Sequence, residues 1–142
     1  MSPDPHEQLT LKRELNELDR LAAWVQAIEQ RMGLPPAVAF ALELCLEEAV
    51  ANIIMYGNAS GHGDIAITLE QASGRLLARI EDDGWQFDPT TAAQRVPPRS
   101  LDDAKVGELG IHLMRTFASD MRYERKSGYN TLTLTFAAAA GA

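Results

Sequence analysis

The 142-residue chain is short of cysteine, aromatic residues and positive charge. Its one cysteine, Cys45, excludes an internal disulfide framework and a cysteine-rich metal site. No run approaches the roughly 18 consecutive apolar residues of a membrane helix, and the acidic residues near the start do not fit a signal peptide. With 13 Lys+Arg against 20 Asp+Glu, the formal net charge is −7, which gives a phosphate backbone no electrostatic reason to bind. A direct nucleic-acid binder is therefore not expected, whereas a basic protein partner suits the field. What is present, a 46% hydrophobic and a 23% charged fraction, is ordinary for a folded chain of this length. The expectation is one acidic, cytoplasmic domain over residues 1–142, with no membrane contact.

Residues 8–12 alternate polar and apolar, as a strand with one buried face does. Asn16 is placed to cap a helix that carries Leu18, Leu21, Val25, Ile28 and Met32 at helical spacing and ends at Gly33. Pro35 and Pro36 open a second helix reaching Tyr56, with Gly57 and Asn58 as its stop. Strands at 64–70 and 75–82 flank Ser73-Gly74 and read as a hairpin. A long polar loop at 90–107 precedes a third helix at 109–118. A closing hairpin pairs 121–125 with 131–136 around Ser127-Gly128, and residues 137–142 read as a frayed end. This order predicts an α+β fold, a sheet with its helices collected on one face.

Three short segments hold chemistry, and each has a plain structural reading beside it. Glu48 and Asn52 are four residues apart, so they share a helix face. A carboxylate can accept a proton and an amide oxygen suits Mg²⁺, yet the same pair also occurs on solvated helices. Its neighbours Ala49, Val50, Ala51, Ile53 and Ile54 make this stretch apolar nearly all round, so Asn52 is expected to be buried and to need a partner. Asp82-Asp83-Gly84 ends an apolar strand and reads either as an acid accepting a hydrogen bond from an exocyclic amine or as a turn. Gly107-Glu108-Leu109-Gly110 opens the third helix, as an anion site helped by Lys105 or as an ordinary loop–helix junction. The Gly-Lys-Ser/Thr ending of a P-loop is absent.

In this order the segments resemble the N, G1 and G2 boxes of the GHKL ATPase superfamily (gyrase, heat-shock protein 90, histidine kinase, MutL). Leu46-Glu47-Glu48-Ala49-Val50-Ala51-Asn52, the run from Glu81 to Pro89, and Gly107-Glu108-Leu109-Gly110-Ile111-His112-Leu113-Met114 look like those of the small bacterial anti-sigma factor serine/threonine kinases. The likeness runs from about residue 8 to 136. It implies a Bergerat-type ATPase sandwich, with a mixed, mainly antiparallel sheet and ATP and Mg²⁺ as cofactors. By position, Glu48 matches the residue that activates the attacking hydroxyl, and Asn52 the Mg²⁺ ligand linking metal to phosphates. Asp82 matches the acid that reads the adenine amine, and Gly84 the glycine that admits the ring. Gly107 and Gly110, with Lys105 nearby, match the phosphate end of an ATP lid, and Thr131 the hydroxyl residue beside the adenine-reading aspartate.

The resemblance implies a kinase that phosphorylates a STAS-domain anti-sigma factor antagonist and sequesters a sigma factor, with a homodimeric habit. Three positions depart from the pattern: Gln86 where many members have a second glycine, Tyr56 where histidine is frequent, and Glu108 where Gly-Gly-Leu-Gly is usual. A carboxylate beside a triphosphate is repulsive unless turned away or neutralised. Glu108 therefore motivates the alternative, a non-catalytic partner-binding switch on the same fold with weak or no ATP turnover.

Overall fold

The computed structural model describes residues 6–56, 63–86, 88–92 and 108–137. Among these residues five strands form one sheet: β1 (His6–Leu11), β2 (Ile65–Ala72), β3 (Arg75–Asp82), β4 (Asp120–Lys126) and β5 (Tyr129–Ala137). Their spatial order is β1-β2-β3-β5-β4, and every pairing is antiparallel. Helices α1 (Glu17–Met32) and α2 (Pro36–Tyr56) lie between β1 and β2 in the chain, while the single turn α3 (Pro89–Ala92) and α4 (Glu108–Phe117) lie between β3 and β4. Among the described residues, no helix is long and apolar enough to cross a membrane.

Period-2 alternation gives the sheet one apolar face. Ile65, Ile67 and Leu69 of β2, Leu76, Ala78 and Ile80 of β3, and Leu132, Leu134 and Phe136 of β5 are all buried. Between β3 and β5, Leu76 lies opposite Phe136, Ala78 opposite Leu134, and Ile80 opposite Leu132. The helices cover this face, and α2 buries Leu42, Leu46 and Val50 completely because α1, α4 and the sheet all pack around it. Each large apolar side chain so enclosed contributes about 1.5–3 kcal/mol relative to exposure.

Both hairpins turn on a Ser-Gly pair with φ positive at both residues: 53° and 74° at Ser73-Gly74, 54° and 85° at Ser127-Gly128. Such primed turns match the right-handed twist of the flanking strands, which is why two residues suffice. Asn16 holds the N-cap position of α1 but makes no side-chain cap, since its backbone is already helical at φ −67° and ψ −11°. The Glu17 carboxylate bonds the Lys12 N–H at 2.8 Å just before the helix instead. The expected helix stop at Gly57-Asn58, most of the 90–107 loop and the tail beyond Ala137 lie outside the described residues. Strand β5 begins at Tyr129, two residues before its expected start, and this shift decides one wall of the site.

Candidate active site

The inward-facing rows of β3 and β5 end in polar residues. After Leu76, Ala78 and Ile80 the next inward residue is Asp82; running back from Phe136, Leu134 and Leu132, it is Asn130. The two stand opposite each other in register, and they are only 3% and 6% exposed. Burial without partners would cost each polar group several kcal/mol, and the hydrogen bonds that prevent this are visible. Asp82 Oδ2 accepts the Gly84 N–H at 2.9 Å and Asn130 Nδ2 at 3.3 Å. Asn130 Nδ2 also donates to the Trp85 carbonyl at 2.8 Å, while its Oδ1 accepts from the Tyr123 hydroxyl and from Arg125 Nη1. Arg125 reaches the Gly84 carbonyl as well, at 2.7 Å, so the turn after β3 is strapped to the β4–β5 hairpin.

Burial pushes the Asp82 carboxyl pKa up, against the bonds from Gly84 and Asn130 and the positive charge of Arg13, which pull it down. Arg13 Nη2 lies 3.8 Å from Asp82 Oδ2 and pairs directly with Asp83. The Asp83 carboxylate in turn accepts the Gly63 N–H at 3.2 Å, so β1's exit, the chain entering β2 and the end of β3 meet here.

Helix α2 supplies the opposite wall. Asn52 lines a cavity of about 30 Å³ together with Ala49, Ile80, Asp82, Met114 and Asn130. It is 6% exposed, and its Nδ2 has no hydrogen-bond partner among the described residues. An unpaired buried amide costs about 1–3 kcal/mol, so this wall presents a polar group that a ligand would satisfy. One turn earlier on the same helix, half-buried Glu48 abuts Gly110 at the start of α4. A Cβ built on Gly110 would overlap Glu48 Oε1 and stand 3.1 Å from Glu48 Cδ, so any larger residue there would displace the carboxylate from this position. A buried carboxylate among apolar walls can orient a flat amine-bearing ring, and the Glu48–Asn52 face adds a proton acceptor and an amide suited to a hard cation.

Of the residues singled out from sequence, Asn52 and Asp82 line one cavity, Glu48 and Gly110 touch, and Gly84 is bonded to Asp82. Lys105 and Gly107 lie outside the described residues. Thr131 requires correction. It is paired with Glu81 and belongs to the row of β5 that faces away from the helices, because alternate residues of a strand point to opposite faces. Asn130 occupies the position beside Asp82 instead. Asn130, Tyr123, Arg125 and Arg13 were missed from sequence. Stepping back two residues from inward-facing Leu132 would have flagged Asn130; for the others no local signal exists.

The model of the histidine kinase-like ATPase domain family matches residues 11–136. The chain is 39% identical over 113 residues to the serine/threonine-protein kinase BtrW of Bordetella bronchiseptica, covering 79% of this chain and 80% of that protein. It is 26% identical over 130 residues to the serine-protein kinase RsbW of Listeria innocua, covering 88% and 82% respectively. Its fold is similar to that in the crystal structure of the RsbU and RsbW domains of Rv1364c from Mycobacterium tuberculosis, with a TM-score of 0.68 at 19% identity. That match covers 95% of this chain but 33% of the other, so the chain spans about a third of that longer protein. The ordered motifs, the site and these likenesses agree: the chain belongs to the histidine kinase-like ATPase domain family, in the small serine/threonine-protein kinase branch of the GHKL superfamily.

Proposed function

We propose that this protein is an ATP-dependent serine/threonine kinase that phosphorylates a STAS-domain anti-sigma factor antagonist and otherwise sequesters a sigma factor. The observation that carries the reading is the convergence, at one end of the sheet, of buried Asp82, the unpaired Asn52 amide and the Glu48–Gly110 contact. The kinase names of the Bordetella and Listeria relatives support it. A cytoplasmic location and a homodimer belong to the same reading.

Asp82 Oδ2 is engaged by Gly84 and Asn130, which leaves Oδ1 to accept the exocyclic amine of adenine. Gly84, without a side chain, admits the edge of the ring. Asn52 would hold Mg²⁺: its amide is already desolvated, a half-turn of the group exchanges its oxygen and nitrogen, and Mg²⁺ commonly takes few protein ligands beside phosphate oxygens. Gly107 and Gly110, with Lys105, would receive the phosphates at the start of α4. Bound Mg-ATP would supply the transferable phosphoryl group and much of the charge neutralisation. Glu48 orients the incoming serine or threonine hydroxyl and accepts its proton.

Incubation with labelled Mg-ATP and the STAS-domain antagonist should transfer label to that protein. Glu48→Ala should lower the rate by about 10²–10⁴-fold while ADP binding persists. Undiminished transfer by this variant would overturn the role given to Glu48. Nucleotide binding with no transfer by the wild type would favour the non-catalytic switch.

A further inference from the structure

Helix α4 runs antiparallel along α2. Its first turn meets Glu48 through Gly110, and its last residue, Phe117, meets Phe40 near the start of α2. The two rings stand edge to face, with centroids 5.8 Å apart and planes at 75°. Despite this contact Phe40 is 60% exposed and Phe117 39% exposed. They border an open groove of about 660 Å³, with Val38, Ala41, Ala118 and Phe136 on its walls and, among the described residues, no charged residue in its lining. That volume lies within the range of about 300–1,000 Å³ typical of binding clefts. Exposed apolar residues gathered in one place mark interaction surfaces, whereas scattered ones do not.

Charge says what kind of partner fits. Glu43 and Glu47 follow Phe40 at i+3 and i+7, so they continue the same face of α2. Neither carboxylate has a hydrogen bond or ion pair among the described residues. Burial, with the neighbouring charges of Glu43 and Glu48, pushes the Glu47 carboxyl pKa up, so these acids repel one another. The net charge of −7 adds a field of the same sign.

We infer that the Phe40–Phe117 groove is a docking surface for a basic segment of a protein partner, its apolar side chains seated between α2 and α4 and its Lys or Arg side chains meeting Glu43 and Glu47. This surface requires neither nucleotide nor phosphoryl transfer, so it stands or falls apart from the kinase reading. Because α4 joins the groove to Glu48, an occupant there acts on the same helix that forms one edge of the site.

The test uses the full chain and three helical peptides of about 18 residues, built from Leu with Lys, Leu with Glu, or Leu with Ser. The Leu/Lys peptide should shift the amide resonances of Val38, Phe40, Phe117 and Ala118 and bind about tenfold tighter than the Leu/Glu peptide. Glu43→Gln with Glu47→Gln should remove most of that preference and flatten its salt dependence. Phe117→Ser should abolish the groove shifts; its ring is already part-exposed, and an unchanged melting curve checks that the fold is intact. Equal binding of the Leu/Lys and Leu/Glu peptides, or shifts confined to other surfaces, would overturn the proposal. So would self-association that Phe117→Ser abolishes, since a second copy would then be the occupant.

Discussion

At one end of the β3–β5 ladder Leu76 faces Phe136 inside the core; at the other, Asp82 faces Asn130, also inward and nearly as buried. The backbone treats the two ends alike, with the same antiparallel register and the same alternation of faces. What differs is the way each pair is satisfied. The apolar pair needs only close packing, whereas the polar pair depends on Gly84, Trp85, Tyr123 and Arg125 for hydrogen bonds. Helix α2 repeats the contrast, with Leu42 and Leu46 in the core and Asn52, also buried, left with an unpaired amide at the cavity. A site can thus be made by changing side chains on a core surface, provided that neighbouring loops supply the donors and acceptors.

Substitutions along the two strands can break or sharpen this contrast. Leu134→Ala, at the apolar end, should cost about 2–5 kcal/mol in denaturant unfolding while the remaining folded protein keeps its nucleotide affinity; a large affinity loss would mean that the two ends are not separable. Asn130→Ala should cost less, about 1–3 kcal/mol, but should also weaken ATP binding, because Asp82, the Trp85 carbonyl and Tyr123 lose their shared partner. Calorimetric titration with ATP separates the two effects.

Asp82→Asn should act in a pH-dependent way. Burial raises the Asp82 pKa, so its ionised form is disfavoured in the folded state. Stability linked to this group is therefore fully present below the ordinary carboxylate range and is lost as pH rises through the folded pKa. The variant should accordingly melt higher than wild type at neutral pH, with the gain fading as the pH falls to about 4, and should bind ATP poorly throughout. A difference in melting temperature that does not vary with pH would show that the bonds from Gly84 and Asn130 offset burial. Thr131→Val, on the outer row, should change stability by less than about 0.5 kcal/mol and leave ATP affinity unaltered. A loss of affinity there would restore the role expected for this hydroxyl from sequence.

The contrast also marks how much could be read before the fold was known. Glu48 and Asn52 share a face because any helix puts residues four apart on one side, and Asp82 ends an apolar strand that its alternation identifies. Thr131 is singled out by its position in the family pattern, whereas the alternation of Leu132, Leu134 and Phe136 puts it on the outer row and puts Asn130, opposite Asp82, on the inner one. The approach of Gly110 to Glu48 joins residues 62 positions apart in sequence, and that of Arg13 to Asp83 joins residues 70 apart.

The amino-acid sequence alone therefore determined the order of strands and helices, the two Ser-Gly hairpins, the shared face of Glu48 and Asn52, and the family to which their motif order points. These are properties of single elements, whose side-chain directions follow from a 3.6- or 2-residue period. Tertiary structure decided that Asn130 rather than Thr131 stands beside Asp82, that Gly110 lies against the Glu48 carboxylate, and that Phe40 meets Phe117 at an open groove. Such pairs depend on the register and packing of one element against another, which arise only when the whole apolar face is buried at once.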